Sequence, residues 1–105
     1  MFARNEDNAN ALRSSAGYIE SGSKFGVRVG DQLSTVGQVV RYHHFSLYER
    51  EDLQTCLSHE YPPTQAVVVY VDDTWRKGTM CVAYDRKSHQ VRAIEWAYGA
   101  FTIEL

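Results

Sequence analysis

The runs Q-A-V-V-V-Y-V-D (65–72), G-T-M-C-V-A-Y-D (78–85) and Q-V-R-A-I-E-W-A-Y-G-A-F-T-I-E-L (90–105) decide the fold class. They are rich in Val, Ile, Tyr, Phe and Trp, side chains that suit a pleated, half-buried surface, and polar breaks separate them. An antiparallel meander forming the main sheet is the reading. In 66–72, Val67, Val69 and Val71 fall on one face and Ala66, Val68 and Tyr70 on the other. Side chains alternate across a strand, so apolar residues on both faces predict an interior strand covered twice. The next strand sorts by size: Met80, Val82 and Tyr84 oppose the smaller Thr79, Cys81 and Ala83, which leave room for a covering layer to approach closely. The third run sets Val91 and Ala93 opposite Arg92, Ile94, Trp96 and Tyr98. Gly99 interrupts it before Phe101, Ile103 and Leu105, as a bulge in one bent strand or a tight turn between two; the bulge is preferred.

Upstream of the meander the period changes. Ser46 followed three residues later by Glu49 matches a capping box, and Glu51 and Asp52 add acid near the positive end of a helix. Leu53, Cys56 and Leu57 recur at helical spacing, and Tyr61-Pro62-Pro63 supplies a stop. This predicts one amphipathic helix over about 47–58, packed on the sheet.

Earlier still, Tyr18 to Glu20 and Lys24 to Val29 read as short strands around Ser21-Gly22-Ser23. Leu33 to Val36 reads as a brief strand, and Gln38 to Phe45 as a longer one. Residues 1–16 are either a mobile arm or a short helix capped by Asn5 and stopped by Gly17. The fold class is α+β: a single small domain, residues 1–105, with a curved, mainly antiparallel sheet of about five to seven strands. A small SH3-like β-barrel carrying an inserted helix is the alternative architecture.

At 105 residues the chain can bury one core without metals or several disulfides. Nothing in it reaches the length of a membrane span, and its start lacks the apolar run of a secretory signal. A cytoplasmic protein with no membrane association is therefore expected, with Cys56 and Cys81 reduced, although one long-range disulfide between them is an open alternative. A formal charge of -2 argues against a nucleic-acid binder built on phosphate contacts. The excess acid sits in residues 46–60, where Glu49, Glu51, Asp52 and Glu60 face only Arg50.

Candidate sites divide by chemistry. Cys56 and His59, three apart on the expected helix, could form a nucleophilic pair or half a zinc site. Equally, Cys56 packs in the buried stripe while His59 rests at the helix end. Neighbours on a strand point to opposite faces, so His43-His44 makes no metal pair by itself. Trp75-Arg76-Lys77 and Arg86-Lys87-Ser88-His89 are basic connections at opposite ends of the sheet, too far apart for one phosphate-binding patch. No catalytic set, metal site or cofactor site is therefore assigned. Seven Tyr and two Trp in so short a chain suit a binding surface or the rim of a small core.

The functional expectation is a non-enzymatic protein of inhibitor, immunity or adaptor type that docks on another protein. Its candidate contact residues are Glu49, Glu51, Asp52, Tyr42, His43, His44, Tyr48, Trp75, Trp96 and Tyr98. The rival is a small-ligand or catalytic pocket between helix and sheet, using His43 or His44, Tyr70 or Tyr84, and Glu95 or Asp85. Nucleic-acid binding ranks third, and self-association through an exposed sheet edge is a further expectation.

Overall fold

A computed structural model describes residues 16–72 and 78–98, and for residues 49–53 the backbone. The architecture is α+β. Strands β1 (Ala16–Ile19), β4 (Phe45–Leu53), β7 (Gln65–Asp72), β8 (Thr79–Asp85) and β9 (Val91–Ala97) form a five-stranded sheet in the order β1-β9-β8-β7-β4. Every pairing in it is antiparallel. Two small hairpins, β2 (Ser23–Lys24) with β3 (Val27–Arg28) and β5 (Thr55–Cys56) with β6 (His59–Glu60), make up the remaining strands. The helix α1 spans Leu33–Arg41.

The meander stands as the sequence predicts. Strand β7 lies between β8 and β4, with Val68 and Tyr70 in one apolar cluster and Val67 and Val69 in another. The first cluster lies under α1, whose Val36 and Val40 meet Val68, Met80, Val82, Ile94 and Phe45. On the far face, Cys81 and Ala83 of β8 admit the β5–β6 hairpin, the close-approaching layer that their small size allows.

The helix sits elsewhere in the chain than expected. Residues 47–58 form most of β4 and the β5–β6 hairpin, and α1 occupies the segment read as two strands. Leu33, Val36 and Val40 are spaced i, i+3, i+7, a helical stripe hidden by the β-preference of its valines. The Ser46/Glu49 pair is no cap, because Ser46 pairs with Val71 in the sheet. A helix-favouring acidic run has yielded there to ladder pairing with an interior strand.

Other corrections are local. Val91 joins the helix-side cluster with Ile94 rather than sharing a face with Ala93. The register explains it: Tyr84 pairs with Val91 while Ala83 pairs with Ala93, so Arg92 is an inserted residue that flips the alternation. Ala16 and Gly17 belong to β1 rather than to a helix end, and a Cβ on Gly17 would strike the Trp96 ring. The hairpin expected around Ser21-Gly22-Ser23 turns instead further along the chain, at Phe25-Gly26, where both residues have positive φ (55° and 82°). An N-terminal helix before residue 16 and the Gly99 bulge lie outside the described residues.

Cys56 and Cys81 form a disulfide across 25 residues, in place of the reduced thiols expected. It ties the hairpin to the centre of the sheet. Closing a loop of that length stabilises the fold by about 3.5 kcal/mol in the chain-entropy account. Among the described residues no helix is long and apolar enough to cross a membrane.

Candidate functional site

Two places on the molecule combine accessible space with unusual side chains. The first is the edge where α1 meets β4. Among the described residues β4 ends the sheet order. Phe45, Ser46 and Leu47 pair regularly with Asp72, Val71 and Tyr70, and the register then shifts around Glu49. Alongside that regular half runs a groove of about 430 Å³, walled by Ser34, Gln38 and Arg41 of α1 and by Leu47 of β4, with Tyr70 below. A smaller recess of about 210 Å³ continues it over Val68.

Gly37 lines both. It is mid-helix, and a Cβ there would meet nothing within 4 Å. Neither backbone geometry nor packing requires the glycine, which costs a helix about 1 kcal/mol relative to alanine.

Four large hydrophobic side chains stand exposed among the described residues, and three border this edge: Tyr42 at 86%, Leu47 at 52% and Tyr48 at 52%. His43 and His44 are exposed in the same α1–β4 connection, His43 meeting the edge of Phe25 and His44 taking a positive φ of 69°. Strand β4 also carries Glu49, Glu51 and Asp52. Most of the sequence-derived contact residues thus gather here, on a strand and a helix end rather than on an acidic helix.

Trp96 and Tyr98 do not join them. Both pack around Phe25, Tyr98 buried and Trp96 covered on one face by the Lys24 ammonium, 4.6 Å from the ring centre. Trp75 lies outside the described residues. Tyr70 and Tyr84 face the helix-side cluster, whereas Asp85 caps its own turn by accepting from the Lys87 and Ser88 amides. Those bonds, the Ser88 amide foremost, hold the Asp85 carboxyl below the usual carboxylate range. The rival pocket's residues therefore do not converge.

The second place is on the opposite face. Glu95 of β9 is 2% exposed and collects donors from the β5–β6 hairpin. Its Oε2 accepts from the Ser58 amide and hydroxyl, each at 2.9 Å, and pairs with His59 Nδ1 at 2.9 Å. Its Oε1 accepts from the Tyr61 hydroxyl at 2.8 Å. A buried carboxylate is tolerated when donors replace its hydration, and these do so.

Burial, and then the bond to Glu95, pushes the Tyr61 phenol far up, which keeps it a donor. The Tyr18 ring stacks on His59 at 3.9 Å between centres, and its hydroxyl donates to Glu20. Burial first, and that bond second, push the Tyr18 phenol up to about 12.

The sequence had paired His59 with Cys56. The structure separates them, committing Cys56 to the disulfide and His59 to Glu95. The available signal was Glu95 itself, an acid sharing a strand face with Ala93 and Ala97. Among the described residues no three His, Cys, Asp or Glu side chains cluster as metal ligands would. Comparison of the chain with protein-family models, with curated proteins and with solved structures gave no match.

Proposed function

We propose that the protein is a non-enzymatic binding domain that takes an extended, basic segment of a partner protein against the α1–β4 edge. The observation that carries this reading is an exposed Leu47 lining a groove deepened by an unneeded glycine, with Tyr42 and Tyr48 exposed on the adjoining helix end and strand. Strand β4, which ends the sheet among the described residues, offers an edge for strand addition, and the groove offers a seat for an alternate side chain. Glu49, Glu51 and Asp52 on the same strand favour Lys or Arg in the incoming segment and speed its approach. Two copies would each bring this acid-rich segment, so a foreign basic strand suits the edge better than self-association.

Nucleic acid fits poorly, since the excess acid of the chain lies in residues 46–60. The compartment belongs to the same proposal. The sequence alone points to the cytoplasm, but a lasting disulfide belongs in oxidising surroundings, and the proposed location moves there accordingly.

A short peptide alternating Lys and Val, titrated into labelled protein, tests the site. Saturable NMR shifts confined to residues 34–48 and weakened by salt are expected, with little response to the Glu-Val counterpart. Reversing Glu51 and Asp52 to Lys should slow association and flatten its salt dependence. Equal binding of both peptides, or shifts centred elsewhere, would refute the reading.

A further inference from the structure

We propose that the hairpin face holds a second, separate site, for a small, flat, uncharged molecule that donates one hydrogen bond to His59 Nε2. The argument starts from Glu95. A carboxylate that already accepts from the Ser58 amide, the Ser58 hydroxyl and the Tyr61 hydroxyl acts as an acceptor, so the proton of its bond with His59 sits on Nδ1. In the neutral ring this sets the Nδ1–H tautomer and leaves the Nε2 lone pair as its remaining polar atom. The His59 side chain is 38% exposed, and Nε2 takes no partner among the described residues.

Beside the ring lies a groove of about 550 Å³, bordered by Leu57, His59, Tyr18, Ala16 and Ala97. A volume in this range accommodates small organic ligands. Its walls specify the occupant. Tyr18 stacks on His59 within 9° of parallel at 3.9 Å between centres, so the two rings stand together as one aromatic wall. The Tyr18 hydroxyl donates to Glu20, the side chains of Ala16 and Ala97 are methyl groups, and Leu57, also in the lining, is 39% exposed. Glu95 is part of the lining and Glu20 holds the Tyr18 hydroxyl, and these acids disfavour anions. A planar apolar body with a single O–H or N–H donor satisfies all of these features. The site shares no residue with the α1–β4 edge, so neither proposal depends on the other.

Three probes of one shape decide it: 2-naphthol, its methyl ether 2-methoxynaphthalene, and 2-naphthoate. Titrations are read on the His59 imidazole nitrogens and the Leu57 methyls. The expected result is saturable binding of 2-naphthol, with the ether and the anion each weaker by about tenfold, the worth of one hydrogen bond. His59→Asn keeps a donor toward Glu95 but removes Nε2 and should lose about the same factor. His59→Gln restores an acceptor near the Nε2 position and should recover part of it, with thermal melts confirming both folds. Absence of saturable shifts at Leu57 and His59, or equal or tighter binding of the ether or of naphthoate, would overturn the proposal without reference to the variants.

Discussion

The two faces of the central sheet are held by different physics. Under α1 the contacts are valines, Ile94, Met80 and Phe45, a non-directional apolar cluster in which each member contributes through area removed from water. On the other face the described layer is a two-by-two-residue hairpin over a smaller apolar cluster of Val67, Val69, Ala83, Ala93 and Tyr61. It is fixed instead by one covalent bond to Cys81 and four polar bonds to Glu95. Gln54 and Arg86 clasp its neck, Gln54 donating to the Tyr61 and Pro62 carbonyls and Arg86 donating to Gln54 and the Pro63 carbonyl. An apolar layer tolerates repacking. A layer hung on a few directional bonds fails when any one is removed, and that difference can be measured.

The largest expected effect ignores the distinction. Val69→Asp on the hairpin side and Val82→Asp on the helix side both place an unpartnered charge in the interior, and each should abolish folding. Soluble, cooperatively unfolding protein from either would show that its face is less tightly packed than described.

Next come the hairpin's two anchors. Replacing Cys56 and Cys81 together by Ala should lower unfolding free energy by about 3.5 kcal/mol in urea titrations, and a loss under 1 kcal/mol would mean the cross-link is absent in solution. Glu95→Gln leaves donors facing an amide that cannot accept them all, a cost of about 2 to 3 kcal/mol. The same face should carry the alkaline sensitivity. A phenol raised to about 12 in the folded state binds its proton more tightly there than in the unfolded chain, where it titrates near 10. Its contribution is complete below about pH 10 and is lost as pH rises through about 12. Tyr18→Phe should flatten the fall in stability over that window, and an unchanged slope would separate Tyr18 from it.

The smallest effect has the opposite sign. Gly37→Ala fills open space without a clash and should stabilise by up to about 1 kcal/mol. It should also weaken the basic peptide. Stabilisation with unchanged peptide binding would remove the glycine from the argument for docking.

The helix-side meander was legible because alternation over seven or eight residues on two faces has few other readings. Residues 33–41 were misread because Val36, Val39 and Val40 favour strands individually, while the spacing that marks the helix rests on three positions interrupted by Gly37. Residues 47–58 mislead the other way. Their acids and capping pattern suit a helix in isolation, yet the ladder offered by β7 and the Cys56–Cys81 bond act over distances that local pattern does not encode. Glu95 was visible as an acid on an apolar face. Its partners were not, because Ser58, His59 and Tyr61 lie more than thirty residues away.

The docking claim is tested most directly by site-specific photo-cross-linking in the native host. Photoreactive residues are placed singly at Leu47, at Tyr48, and at Ser88 in the turn at the far end of the sheet. The account predicts adducts at positions 47 and 48 carrying the same protein, mapped to an extended segment with Lys or Arg, and none at 88. Adducts at 88 without 47 and 48, or adducts at 47 and 48 mapping to an acidic or purely helical segment, would contradict it.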